Sequence, residues 1–472
     1  MPIQQLPLMK GVGKDFTSAD YIDYLPVNLL ATPKEVLNAS GYMRSFPGIE
    51  HFSDVNGISR GAEYNTAQNA VYRVCGGNLY KGKIPVGNID GSGRVSLAHS
   101  RTSQAVIVNG QVVLYRYDGT TKTVDNWPVS STYTQYELGS ARDIVRVRGR
   151  YIWSKDGTDS FFISDLEDES HPDRNSAEYR AESQPDGIIG LGVWRDFVVC
   201  FGTSTTEFFT LTGATTAGAA LYVNNPSYFV PKGIAGTHCK CQYLDAFAII
   251  SNPATGAPSV YLMESGQVKG IATASIEKII RSYSADDLAQ GVMESLRFDS
   301  HELLIIHLPQ HVLVYDAAAS QNGPQWTVLK TGLADDVYRA IDFFYEGNTI
   351  TCGDKLNPVT GQCKFDASSQ YGQQQEYLLY TPLFKADNAR LFDLELESST
   401  GVAQIAEKMF ISATTDGINH GREQLIPWNA PFRYDQRPIW SRIGRVRKNI
   451  AFKIRIVTSA PVTLSGCQVR IE

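Results

Sequence analysis

Absences narrow this chain first. No window of 18 apolar residues occurs in it, so no membrane span or membrane anchoring is expected. The opening MPIQQLPLMKG has no charged stretch leading into an apolar one, so no export signal is expected either. Cysteine is sparse, odd in number and widely spaced (Cys75, Cys200, Cys239, Cys241, Cys352, Cys363 and Cys467). That usage argues for reduced thiols and assembly in a cytosolic compartment, not for a secreted disulfide framework. A phosphate-cradling Gly-Lys-Ser/Thr loop, a Gly-x-Ser-x-Gly elbow and a dinucleotide fingerprint are all missing. Their joint absence favours a binding or structural protein, with no enzyme activity and no cofactor expected. Positive charge is not in excess: 43 Lys and Arg against 49 Asp and Glu leave a net charge of -6. Any contact with DNA would therefore have to be a local patch.

What is present is a folded composition, 43% hydrophobic and 19% charged, over 472 residues, too long for one ordinary core. The patterning is overwhelmingly of period two, in short apolar runs broken by Gly, Asn and Asp. The best helical stretch is TASIEKIIRSYSADDLAQGVMESL, with Ile276, Ile279, Ile280 and Leu288 spaced for one apolar face. Strand-turn-strand units recur, with turns at Gly77, Gly110, Gly149, Asp196, Asp245, Ser300 and Gly347. They are separated by steps of 33 to 55 residues with a mean of 45. One four-stranded antiparallel sheet consumes roughly 40 to 50 residues and cannot bury both faces alone. Packing such sheets radially solves the problem and leaves only short edges open. The expected fold class is all-β: a β-propeller, seven blades preferred and six possible, with a set of β-sandwiches as the alternative. Tyr117-Asp118 followed by Trp127, and Tyr315-Asp316 followed by Trp326, add a second sign: the Asp closes a turn and the Trp packs between blades.

The flanks differ from the middle. Residues 1–55 carry Pro2, Pro7, Pro26, Pro33 and Pro47 and read as an extended arm that lies along the surface or supplies a closing strand. Residues 56–370 are the propeller. Beyond the Gln-rich SSQYGQQQEY, residues 371–472 alternate cleanly and predict a separate antiparallel β-sandwich-like domain.

Candidate chemistry is thin. Ser154-Lys155-Asp156-Gly157 approaches a sialidase-type loop, but its Asp and Gly are adjacent, and a hairpin turn is the better reading. THCKCQY places His238, Cys239 and Cys241 together without a second ligand pair, and His301, His307 and His311 flank one strand; no metal site is expected from either. The acidic loop DLEDESHPDR reads as solvated. Arg146, Arg148 and Arg150 share parity, but the Gly149 turn interrupts their face. The densest basic segment, SRIGRVRKNIAFKIR, holds Arg442, Arg445, Arg447 and Lys448, followed by Lys453 and Arg455. These are candidates for contact with a partner protein or with phosphate, and rim salt bridges to a protein are favoured.

Several stretches together carry a resemblance that covers the whole chain. They are LPLMKGVGKDFTSADYIDYLPVNLLATPKEVLNASGYMRSFPGIEHF, GISRGAEYN and the ending RIGRVRKNIAFKIRIVTSAPVTLSGCQVRIE. In style and order they resemble the tail-hub family of short-tailed bacteriophages, also called packaged-DNA stabilisation or head-completion proteins. The resemblance implies a non-enzymatic virion protein added late in assembly. It implies a homohexameric ring docking beneath the portal-adaptor protein after DNA packaging and retaining the DNA. It also implies attachment sites for a tail needle and for tailspikes, with packaged DNA nearby but not bound by sequence. No motif of that family assigns a role to an individual residue. The rival expectation is a propeller that binds or hydrolyses host surface polysaccharide, which requires carboxylates converging about 5 to 10 Å apart. A weaker third reading is a ring gripping DNA through the Arg442 to Arg455 segment.

Overall fold

In the computed structural model, residues 3–9, 11–15, 20–36, 39–130, 133–213, 219–253, 256–333 and 335–472 are described; Pro2 of the expected arm lies outside them. Seven antiparallel sheets of four or five strands succeed one another along the chain. The first six blades span residues 59–88, 97–123, 141–180, 188–224, 240–270 and 292–337. The seventh is assembled from both ends of the propeller. Ala340–Glu346, Thr349–Asp354 and Val359–Lys364 are completed by Gly48–Asp54 as the outermost strand. Closing the ring with a strand from the other end makes separation of the first and last blades cost a whole ladder of hydrogen bonds.

Burial peaks in the second strands of blades, and the sequence follows it. Second strands such as Ala70–Cys75 and Ala246–Ser251 are buried at every residue, because neighbouring blades cover both faces. They read as continuous apolar runs for the same reason that doubly covered parallel strands do. The outer strand Thr121–Thr123 is exposed throughout and keeps only polar side chains. Five of the seven turns counted from sequence (Gly149, Asp196, Asp245, Ser300 and Gly347) lie in the hairpin between the first and second strands of their blades. Those at Gly77 and Gly110 lie one hairpin further out, between the second and third strands. This slip of phase shortens the 39-residue step from Gly110 to Gly149, whereas the 33-residue step from Gly77 to Gly110 joins turns of the same phase in short blades. Residues 143–166 form the first three strands of the third blade, and Asp156-Gly157 is a turn with Gly157 at φ +71°.

Inter-blade contacts use tryptophan as expected. The Trp326 indole donates to the carbonyl of Ile271 at 3.0 Å and that of Trp127 to Pro172 at 2.8 Å. Neither tryptophan lies in the inner strand that the spacing suggests: Trp326 opens the fourth strand of its blade and Trp127 sits in a loop beyond an outer strand. The helical stretch forms two short helices, Ala274–Arg281 and Ala285–Ala289, capped by the Thr273 and Ser284 side chains, with Ile276, Ile280 and Leu288 buried.

The second body is a β-sandwich, and it is not contiguous in sequence. One sheet contains Arg390–Ser398, Ile439–Arg445 and Thr463–Ile471 together with Ile3–Leu6, Leu29–Thr32 and Tyr42–Ser45. The other contains Gln375–Tyr380, Asn449–Thr458, Glu407–Thr414, Gln424–Trp428 and Phe384–Lys385. Much of the expected arm is thus sandwich: Leu6, Leu8, Leu29 and Met43 share a core with Leu394, Trp428, Phe452 and Val469. Sandwich and propeller are joined where Asn28, at φ 59°, accepts from the Lys330 amide at 2.9 Å and donates to the Glu376 carbonyl at 2.8 Å.

Candidate interaction surfaces

The innermost strands of the blades face one another around the propeller axis and line a shared cavity. At the end where these strands begin, Asp342 stands in the left-handed region at φ 60° and is almost fully buried. Ser59 Oγ donates to its carboxylate at 2.8 Å, Arg94 pairs with it, and Arg73 lies 3.9 Å away. Burial alone would raise the Asp342 pKa, but Arg94 and Arg73 outweigh it and hold the carboxyl below its ordinary value. Glu294 accepts from the Phe343 amide at 2.7 Å and pairs with His307 at 2.5 Å. Asp143 pairs with Lys240 at 2.8 Å, and Asp354 is held by Arg339. Burial pushes Lys355 down to about 8 and His238 down to about 3. Each of these carboxylates is engaged by cations or amides. The network ties blades six, seven and one together and braces the ring where it closes.

Further along the axis the cavity, of about 400 Å³, is lined by Glu63, His99, Arg146, Lys240 and Gln242, among others. Here an acid, an imidazole and a hydroxyl fall in line: Glu63 to His99 Nδ1 at 2.8 Å, and His99 Nε2 to Thr66 Oγ1 at 2.8 Å. The Thr66 amide also donates to Nε2, at 3.2 Å. That occupies the lone pair a general base would need, so the arrangement locks the first inner hairpin to the second blade.

The residues singled out by sequence scatter. Arg146 reaches the cavity, Arg148 pairs with Asp196 at 2.6 Å, and Arg150 pairs with Asp173 at 2.7 Å; they form no stripe. Cys239 is buried, its thiol donating to the Leu288 carbonyl at 3.0 Å. His301 bonds Asp316 at 2.6 Å and His307 bonds Glu294, at opposite ends of one strand, while His311 meets the Tyr283 hydroxyl at 2.5 Å. Among the described residues no three His, Cys, Asp or Glu converge as metal ligands. The acidic loop is not simply solvated. Asp165 takes Arg174 at 2.9 Å and Glu169 accepts from Ser103 at 2.7 Å, pinning the third blade to the second.

The basic segment does form a surface. Arg442, Arg445, Arg447 and Lys448 are all exposed at one end of the sandwich, where the edge strand Ile439–Arg445 turns back. Arg390, which sequence reading passed over, faces Arg445 directly across the ladder. Lys453 and Arg455 lie elsewhere, and Arg455 is consumed by Glu423 and Glu376. At the opposite end a knob protrudes. Phe432 is 84% exposed, Tyr434 71%, Ile405 65% and Val402 47%. It is built by the Phe432 amide donating to Gly401 at 3.1 Å and by Asn429 accepting from the Val402 amide at 3.1 Å. Phe432 sits at φ 61°, a conformation a bulky side chain adopts only under constraint. Aromatics with an adjacent arginine are the composition that protein interfaces concentrate. The sequence signal for the knob was the run APFRYDQR, two aromatics flanking an arginine inside a turn.

Comparison with known proteins follows the two-body division. Residues 4–368 match the family described as Bacteriophage P22 Gp10, beta-propeller, and residues 376–472 match Bacteriophage P22 Gp10, beta-sandwich. The chain is 74% identical over 472 residues to the tail hub protein gp10 of Salmonella phage P22, covering all of both chains. Among solved structures it is similar to an exo-β-1,3-galactanase from Phanerochaete chrysosporium, at 8% identity and TM-score 0.29, over 88% of this chain and 99% of that one. It is also similar to PorZ, a surface component of the type-IX secretion system of Porphyromonas gingivalis, at 12% identity and TM-score 0.38, over 80% and 46% of the two chains. Scores this low carry no functional weight.

Proposed function

The chain belongs to the Bacteriophage P22 Gp10 family, and on that premise we propose how it works within a virion. It is a structural tail hub, a component of the phage tail. In our reading it is assembled in the host cytoplasm and joins late, once DNA has been packaged. Six copies form a ring beneath the portal-adaptor protein, and the ring offers seats for a tail needle and for tailspikes. Completing that plug retains the DNA, and no step of it calls for catalysis or a cofactor.

The observation that carries this reading is the end-to-end match to a tail hub. The structure supports it physically. A braced propeller and a sandwich sharing strands from both chain ends make a stiff body that can hold several partners at fixed angles. The engaged carboxylates around the axis argue against the glycan-hydrolysing alternative. The test is retention. Purified protein added to DNA-filled heads that lack it should stop nuclease-accessible DNA from appearing. Continued leakage at saturating protein would defeat the proposal.

A further inference from the structure

The sandwich sheet that carries Arg390–Ser398 shows two kinds of arginine. On most of its outer face each is matched. Arg437 lies on Glu395 at 2.5 Å, and Arg470 pairs with Asp393. At the end formed by residues 385–390 and 442–448 the matching stops. Among the described residues, none of Arg390, Arg442, Arg445, Arg447 and Lys448 has a carboxylate within 4.0 Å. Two acids stand at the rim without reaching them: Asp387, taken by Lys385 at 2.7 Å, and Glu472, whose backbone pairs with Arg390.

These cations are also held in place. Buried Val446 donates its amide to the Ala389 carbonyl at 2.9 Å, while the Arg447 and Lys448 carbonyls accept from Asn388 at 3.0 Å and Ala386 at 2.7 Å. The turn is laced on both sides and presents its side chains outward. Arg390 and Arg445 are cross-strand neighbours, an arrangement that like charges make unfavourable. A chain with net charge -6 keeps five unneutralised cations at one spot, against their mutual repulsion.

We propose that this end of the sandwich binds the phosphodiester backbone of duplex DNA. A polyanion with closely spaced charges relieves the repulsion and releases condensed counterions on binding. The exposed groups there are mainly guanidinium and ammonium, with Asp387 and Asn388 beside them and without the apolar centre typical of a protein interface. That centre stands at the far end of the sandwich, on Phe432 and Tyr434. Cationic side chains predominate there, with Asn388 the amide beside them and half-buried Phe392 under the Arg390 guanidinium, so the contact is chiefly to phosphate and independent of sequence. Only the choice of DNA among polyanions rests on the tail-hub reading.

The test uses the full chain and a fluorescently labelled 30-base-pair duplex, with affinity followed by anisotropy. About four phosphate contacts predict a loss of roughly a hundredfold in affinity between 50 and 200 mM salt. The variant Arg442→Ala/Arg445→Ala/Arg447→Ala/Lys448→Ala should lose most of that slope and bind at least tenfold more weakly at 50 mM. Arg437→Gln/Arg470→Gln, which removes two matched arginines from the same sheet, should bind as the parent does. Equal affinity of the parent and the fourfold variant, or no binding by the parent at 50 mM salt, overturns the proposal. If the parent ignores duplex DNA and the fourfold variant alone fails to stop leakage from heads, the patch is a protein contact and the proposal falls. Leakage with the parent protein itself tests the hub reading separately.

Discussion

Replacing Asp342 by Asn is the sharpest probe of how the ring is kept closed. Asparagine is nearly isosteric and tolerates the left-handed φ of 60° that alanine would resist, so the change removes charge and little else. It leaves Arg94 and Arg73 facing each other in a buried site without their counter-ion. Breaking a buried pair by removing one partner typically costs about 3–5 kcal/mol. Asparagine still accepts one or two of the hydrogen bonds, which puts the expectation near about 3 kcal/mol. Spread over a propeller of roughly 320 residues at about 2.1 cal/mol/K each, that lowers Tm by about 5 °C. The assay is calorimetry or urea unfolding of the full chain, repeated on Arg94→Met and on the double variant. The double variant should cost less than the sum of the two single ones by about 1.5–3 kcal/mol. The pH dependence has a definite sign. Because the folded pKa lies below the unfolded one, near about 3.9, the carboxylate's contribution is complete above that value. It is lost as pH falls through the folded pKa. The gap between parent and variant should be level from pH 5 to 8 and close below about pH 4. A cost under about 1 kcal/mol, or strict additivity with Arg94→Met, would refute the bracing role of this network.

Two further outcomes are expected. A chain beginning at residue 46 loses Leu6, Leu8, Leu29, Ala31 and Met43 from the sandwich core and Leu30 from the core of blades six and seven, all buried. At about 1.5–3 kcal/mol for each large side chain, the loss is of order 10 kcal/mol, the size of a whole domain's stability. The truncated protein should aggregate or lose its sandwich transition in calorimetry; a soluble form with an unchanged transition would mean that the arm is dispensable. Phe432→Gly relieves a left-handed phenylalanine that is 84% exposed, so stability should hold or rise by up to about 1 kcal/mol. A measured loss of more than 1 kcal/mol in urea would show that the ring packs structurally instead of being held out.

Much of the propeller was legible because its information is local. Hairpin turns, period-two alternation and wholly apolar second strands are written within a few residues, and their recurrence near every 45 residues announced stacked sheets. The phase of the repeat was harder to read, since a Gly turn looks alike in an inner and an outer hairpin, as Gly77 and Gly110 show. The basic segment was visible as composition. That Arg455 is neutralised while Arg445 is not could not be seen, because it depends on which strand lies alongside.

Sequence alone settled the material of the molecule: antiparallel sheet throughout, cores of short apolar runs, and no long span or nucleotide-binding motif. Tertiary structure decided how distant pieces join. Gly48–Asp54 closes a blade more than 300 residues later, and Ser45 donates its amide to Val462. An edge strand carries the same alternation whatever its partner, so nothing local says that the first residues belong beside the last. Only the requirement to pair every buried backbone group and cover every apolar face chooses among the possible neighbours. That choice sets Arg390 opposite Arg445 and Phe432 out in the open.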